Sequence, residues 1–512
     1  MVATSQPLAA QAGLNVLQKG GNAIDAAVAT AAALSVVEPT ANGIGGDCFA
    51  LIWHRDQLHG LNASGPAPMS LNLEKINAMG LKQMPKWGPL PVTVPGTPAA
   101  WAALTERFGT RTLADNLSQA VELASEGFPV SPSIAYAWAQ QHQEFKKNFT
   151  EPYFKHWFDT FAPHGVPSPG DLVKLADHAK TLELIGQSNA SAFYRGELSQ
   201  KISSFMASIG GFIEQRDLEA FEVEWCNPIS VNYRGYDVWE IPPNGHGLVA
   251  LLALNILKGF EFTDRDSLHT YHHQIEAMKL AYSDGFAHIA DPKHMRVSVQ
   301  DMLSDEYASI RRKLIGTSAR IPMAGTPPKG GTVYLSTADR FGNMVSMIQS
   351  NYMGFGSGLV VPGTGISLHN RGNNFSLEAG HPNVIEGGKR PYHTIIPGFL
   401  TRNGKAIGPF GVMGGFMQPQ GHVQMVMNTV DFHLNPQAAL DAPRWEWKEG
   451  NKVAIERSTS DHLFYGLEGL GHEVSWNNNR IALGRGQIIW RNDAGILCGG
   501  TEPRTDGSVA AW

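Results

Sequence analysis

Residues 23 to 37 read AIDAAVATAAALSVV, a run that is alanine-rich and largely apolar around its whole circumference. Asn22 can cap it as a helix, and Glu38-Pro39 must end it. A helix at a surface buries only one stripe, so a helix this uniformly apolar belongs between layers. The rest of the chain supplies material for such layers. Residues 6 to 19 have helical spacing and stop at Gly20-Gly21, and Gly43-Ile-Gly-Gly-Asp47 feeds a strand from Cys48 to Trp53. A helix over Leu113 to Glu126 closes at Gly127. Pro242 to Gly247 forms a turn before a buried helix, LVALLALNIL, and Tyr271 to Ala290 is a further helix. Toward the C-terminus the pattern predicts a turn and strand over Gly363 to Asn370, a strand reaching Thr401, and a hairpin turn at Asn403-Gly404. A helix follows from Pro419 to Val430, with proline in its first turn. Short strands at Lys452 to Glu456 and Gln487 to Arg491 flank a helix from Asp461 to Leu470. Periodicity alone gives α plus β, with no internal repeat.

The stretch 329 to 358, KGGTVYLSTADRFGNMVSMIQSNYMGFGSG, draws the chemistry together. Gly330-Gly331 runs directly into Thr332, and the residues after it are mostly good strand formers. Asp339 to Asn343 is a turn, and Met344 to Ile348 reads as the returning strand. Thr332 therefore begins a hairpin strand behind two residues that tolerate unusual backbone geometry. Cleavage between Gly331 and Thr332 would expose a hydroxyl nucleophile with its own α-amine as base. Read without further context, the same residues are an ordinary loop-to-strand junction.

The run Thr332 to Asp339, then Gly342-Asn343, then Gly354-Phe-Gly-Ser-Gly358, resembles the small-subunit start of the γ-glutamyltranspeptidase family, closest to its glutathione-hydrolase-like bacterial branch. GGNAIDAAVA and GIGGD near the N-terminus resemble the beginning of that family's large subunit. The resemblance implies a four-layer αββα sandwich of the N-terminal-nucleophile hydrolase type. It also implies self-cleavage into a large subunit, 1–331, and a small subunit, 332–512, sharing one sandwich. By the same resemblance Thr332 is the nucleophile, Gly414 and Gly415 are the paired glycines whose N–H groups hold the oxyanion, and Ser350 is the hydroxyl bonded to the nucleophile. The segment 316–331, rich in proline and glycine, reads as the linker that presents the cleavable bond.

Recognition of the acyl group departs from the family pattern. The family holds an α-carboxylate with a large-subunit arginine, where this chain has Asn62-Ala-Ser-Gly-Pro66-Ala-Pro68. The family aspartate for the α-amine falls on Asn374, and its two serines fall on His393 and Thr394. Asn370, Arg371, Asn374, His393 and Thr394 are the candidate binding residues, with Arg371 suited to a bidentate contact with a carboxylate. A salt bridge at the surface is the alternative for Arg371. The leading expectation is an amidohydrolase or transferase acting on γ-glutamyl amides such as glutathione. An acylase for glutaryl or cephalosporin-type amides and a non-catalytic binding relative remain open beside it.

The resemblance implies a small-molecule amide substrate, and composition argues against two other classes of partner. A net charge of −6 with no basic block argues against nucleic acid, and no run of eighteen apolar residues supports a membrane span. The start, MVATSQPLAAQAG, lacks the pattern of a signal peptide, which gives a cytoplasmic expectation unless a leader preceded it. Association beyond the two subunits is left open. Cys48, Cys226 and Cys498 suggest no disulfide framework, and Cys48 reads as a small buried residue. The Gly43 to Asp47 turn precedes a strand, the wrong order for a dinucleotide loop, and no motif implies a cofactor. His272 and Glu276 share a helix face, but two ligands do not make a zinc site, so a packed helix is expected there. Tyr153 to Trp157 reads as a satellite cluster at the surface rather than a pocket wall.

Overall fold

The computed structural model describes residues 1–321 and 331–512. Most of the expected linker, 322–330, lies outside the described residues. Two antiparallel sheets face each other. The seven-stranded sheet runs, edge to edge, through Ser508–Ala510, Val2–Thr4, Gly331–Ala338, Met344–Tyr352, Asp47–His54, Gln57–Ala63 and Glu224–Cys226. The six-stranded sheet runs through Leu497–Thr501, Arg485–Arg491, Lys405–Met413, Gly398–Arg402, Tyr236–Glu240 and Ile229–Tyr233. Ser346 on the first sheet reaches the Phe410 carbonyl of the second at 3.5 Å. Helices cover both outer faces, which gives the expected αββα sandwich.

The apolar helix occupies the place its composition demands. Ala23–Val37 is buried at every position and packs on the Gly331–Ala338 and Met344–Tyr352 strands. Helices Pro7–Gln18, Thr97–Phe108 and Leu113–Glu126 pack around it. Asn22 and Asp25 form a reciprocal capping box at its start. On the other face, Gly247–Leu257 is buried throughout and packs with Leu268–His288 and Gln418–Val430. The turn after Gly398–Arg402 is the expected two-residue one, with Asn403 and Gly404 at φ 52° and 70°. Both sheets combine strands from before residue 322 and after residue 330, so neither part holds a complete sheet of this sandwich.

Two expectations change. Residues 363–370 form a turn with isolated bridges at Ser367 and Leu368 instead of a strand. Gly363 and Gly365 adopt φ near +70°, which breaks the extended path. The aromatic segment is core, not a surface satellite. Phe154 stacks on Phe149 with ring centres 3.8 Å apart, and Trp157, fully buried, meets Phe355 edge-on at 5.0 Å. Phe355 lies about 200 residues further along the chain, so Tyr153 to Trp157 links the two parts of the sequence. Trp157→Ala is expected to cost about 3–5 kcal/mol of stability, the usual loss for a large ring in a packed core. Chemical denaturation checks this, and an unchanged midpoint would return the segment to the periphery.

Candidate active site

Thr332 is the second residue of its strand, and the register of the hairpin decides what it faces. Val333 pairs with Gln349, but the ladder then slips, so that Gly331 meets Tyr352. The bulged strand bends there, with Tyr352 at φ 72°. Ser350 Oγ comes to lie 3.2 Å from Thr332 Oγ1 and accepts the Tyr352 N–H at 2.7 Å. The Gln418 side-chain amide donates to the same threonine oxygen at 3.4 Å. Thr332 is thus a buried hydroxyl held from two sides, of the kind acyl transfer needs.

Gly414 and Gly415 follow the strand Lys405–Met413 with φ of 140° and 59°, a path that only glycine takes readily. They lead through a short turn, Gly415–Met417, into the helix Gln418–Val430. The N–H groups at such a helix entry lack partners within the helix and are available to an anion. Gly414 lines a 660 Å³ cleft together with Met353, Phe416 and Arg485. Arg485 joins this cleft to Thr332, because its guanidinium donates to the Thr332 carbonyl at 3.4 Å.

The five expected binding residues converge, but they bond chiefly to one another and to the protein interior. Arg371 is fully buried and forks onto Asp47 through Nε at 2.7 Å and a terminal nitrogen at 3.1 Å. Its other terminal nitrogen donates to Thr394 Oγ1 at 2.6 Å, and its guanidinium stacks over the Tyr352 ring. The carboxylate Arg371 holds is therefore the protein's own, in an interior pair rather than a surface one. Asp47 is extended by His393 Nε2 at 2.7 Å and by His369 at 3.4 Å. His393 Nδ1 accepts the Ile395 N–H, which puts the imidazole proton on Nε2, facing Asp47. Burial, reinforced by the Arg371 charge, lowers the His393 pKa to about 4. Burial alone would raise Asp47, but Arg371 and His393 beside it hold its carboxyl well below the usual range. Asn374 accepts the Tyr352 hydroxyl at 2.6 Å, and Asn370 donates to the Lys86 carbonyl at 2.7 Å. Asp47 is the cross-strand partner of Ser350, so this network lies directly behind the residue that contacts Thr332.

The helix bearing His272 and Glu276 is packed, as expected, but it gains a third candidate ligand. His472 lies with them, the three ligand atoms within 4.8 Å of one another. The Lys279 ammonium already occupies this cluster, 2.7 Å from Glu276 and 3.5 Å from His472. His272 bonds His472 at 2.9 Å and the Gly316 carbonyl at 2.9 Å. A resident cation with satisfied imidazoles does not fit a metal centre. Cys48 is fully buried and its thiol is pushed well up by that burial, as befits an inert core residue.

Sequence reasoning missed Asp47, Gln418 and Arg485. Gln418 had a local signal, since it follows the paired glycines at a helix start. Asp47 and Arg485 had none, because their partners lie hundreds of residues away.

With this geometry in view, comparison with known proteins places the chain. The family model described as gamma-glutamyltranspeptidase matches residues 9–512. A glutathione hydrolase-like proenzyme of Bacillus subtilis is 36% identical over 523 residues, covering 99% of this chain and 98% of the relative. An oxamate amidohydrolase proenzyme of Klebsiella pneumoniae is 33% identical, covering 100% and 98%. Among solved structures, a cephalosporin acylase from Bacillus halodurans superposes with a TM-score of 0.98 at 57% identity, covering 100% of this chain and 95% of that one.

The buried imidazole gives the site a pH signature. His393 has its pKa depressed in the folded state, so the unfolded chain takes up the proton first. Its contribution to stability is whole above pH about 6.5 and is lost as pH falls toward about 4, amounting to about 3 kcal/mol. His178, depressed to about 4 by burial, acts in the same direction. Denaturation midpoints measured from pH 7 to 4 should fall, and His393→Gln should flatten the profile by its share. A variant profile parallel to the wild type would mean that His393 is already charged in the fold.

Proposed function

The chain belongs to the gamma-glutamyltranspeptidase family, and from that premise we propose that it is a self-processing amidohydrolase with Thr332 as its nucleophile. The observation that carries this reading is the Thr332 hydroxyl held by Ser350 and Gln418 beside the Gly414 turn. In the precursor the hydroxyl attacks the Gly331 carbonyl. The peptide becomes an ester, water hydrolyses it, and the α-amine of Thr332 is released. That amine, with an ordinary pKa near 8, then accepts the hydroxyl proton as Thr332 attacks a small-molecule amide. The N–H groups of Gly414 and Gly415 stabilise the tetrahedral oxyanion, a contribution of about 3 kcal/mol for one such donor. Ser350 orients the attacking oxygen. The amine leaves with the proton, and water or a second amine takes the acyl group. The products, 1–331 and 332–512, remain together because each sheet is built from strands of both.

For the acyl group, the geometry favours the acylase reading over γ-glutamyl recognition. A γ-glutamyl head needs a cation for its carboxylate and an anion for its amine. Arg371 is committed to Asp47 and Thr394, and Asn374 carries no charge. The cleft carries Lys86 and Lys448, partly exposed beside Glu144 and Glu446, and a substrate's terminal carboxylate, as in a glutaryl amide, can exchange with those exposed partners at little cost.

Intact-mass measurement should show two fragments meeting at the Gly331–Thr332 bond. Thr332→Ala should remain one chain with turnover at least 10³-fold lower, as for loss of a covalent nucleophile. A cleaved and active T332A protein sinks the proposal. Glutaryl-p-nitroanilide should be hydrolysed at least about tenfold faster than the γ-glutamyl compound, the discrimination expected from about 1.4 kcal/mol. The reverse order would restore the γ-glutamyl reading.

A further inference from the structure

Arg485 stands at a junction that the proposed reaction has not used. It begins the strand Arg485–Arg491 and pairs with Met413, the residue before Gly414. Its position is fixed closely, because Gly484 and Gly414 approach each other so tightly that a Cβ on Gly414 would lie 3.1 Å from Gly484 Cα. The guanidinium then reaches two groups, the Glu38 carboxylate at 3.1 Å and the Thr332 carbonyl at 3.4 Å. The side chain is only 11% exposed, while Glu38, at the C-terminal end of the apolar helix, is fully buried.

A residue's own nitrogen and carbonyl oxygen are roughly 3–4 Å apart, so the α-amine freed at Thr332 falls roughly 5–7 Å from this guanidinium. A like charge at that range disfavours protonation of the amine. Asp506, which acts on Glu38, is bonded to the Ser133 N–H and hydroxyl, and the ion pairs nearby are matched within themselves. Beyond Ser350, Asp47 is matched with Arg371 and His393, and across the cleft Lys86 pairs with Glu144, Lys448 with Glu446 and Lys452 with Glu449. Glu38 offsets Arg485 in part. It sits on the far guanidinium nitrogen, shares its carboxylate with Ser5, and its buried carboxyl is pushed up by desolvation.

We propose that Arg485 is a positioning residue for the nucleophile. Its guanidinium fixes the Thr332 carbonyl and keeps the neighbouring amine uncharged and able to act as base. This deepens the reading of Thr332 given above and rests on it. The contrasting role is a strut that ties the apolar helix to the Arg485–Arg491 strand and has no effect on the amine.

The test is the pH dependence of kcat/KM for the processed full chain, using whichever p-nitroanilide the wild type turns over. The acid limb should titrate below the ordinary amine value of about 8. In Arg485→Gln it should rise by about one pH unit, and in Arg485→Lys, which keeps the charge, it should stay near wild type. An active R485Q protein with an unmoved limb overturns the proposal and leaves the Thr332 reading standing. If R485Q fails to fold or process, the wild-type Thr332 amine is titrated directly by NMR after ¹⁵N-threonine labelling. A midpoint below 8 supports the proposal, and one at or above 8 overturns it. A wild type that neither cleaves nor turns over either substrate removes the Thr332 reading, and this inference with it.

Discussion

The Asp47 carboxylate is the constraint on which the site depends. It lies at the start of a central strand, is fully buried, and is met by Arg371, His393 and His369 from one loop region after the nucleophile hairpin. Charges this deep are tolerated only in pairs, and removing one partner of such a pair costs about 3–5 kcal/mol. The pair therefore pins segments 369–374 and 393–394 against the turn at residues 43–47. That turn is itself tied to the hairpin, since Asp47 pairs with Ser350 across the sheet. The Thr332–Ser350 contact is thus set from behind by a fully buried ion pair. The stacked Arg371 and Tyr352 extend the same support to the bulge that turns Ser350 toward the threonine.

The topology explains how a chain can be cut at its active site and keep its shape. The nucleophile strand lies between Val2–Thr4 and Met344–Tyr352, so one neighbour comes from each side of the proposed cut. The Ala23–Val37 helix lies across the same strands, and Phe355 docks among aromatic rings from residues 145–161. Losing one peptide bond changes none of these contacts. The approach to the cut is also secured. Gly316 and Arg320 bond to His272, Glu276 and Lys279, so the chain is anchored shortly before residue 322.

Elements set by local chemistry were legible in the sequence. The helix Leu113–Glu126, the strand Lys452–Glu456 and the Asn22 helix cap fall at their expected places because caps, glycines and alternation act within a few residues. The Thr332 hairpin and its turn were legible for the same reason. What escaped was long-range. Arg371 read as holding a substrate carboxylate or a surface salt bridge because Asp47 lies 324 residues earlier. Trp157 looked peripheral because its partner ring, Phe355, is far ahead in sequence. No window of sequence contains either pairing. Residues 363–370 are the local exception, where two glycines at positive φ prevail over strand-forming side chains.

The same long-range logic bears on substrate choice. A fully buried arginine held by three hydrogen bonds, with an aromatic ring beneath it, would have to abandon Asp47 to bind a ligand, leaving an uncompensated charge in the core. Substrate carboxylates offer no better partner than the one already present, so exchange gains nothing. Recognition then falls to groups whose desolvation is incomplete. In the cleft these come from the helix Pro132–Asn148, the strand Trp445–Glu449 and the turn that carries Asn479, Ile481 and Ala482. Their exposure lets them change without disturbing the sandwich, whereas any change at Asp47 or Arg371 is felt first by the fold. On the proposed reading, catalytic geometry and acyl selectivity fall to separate parts of this site, one fully buried and fixed by ion pairs, the other partly exposed.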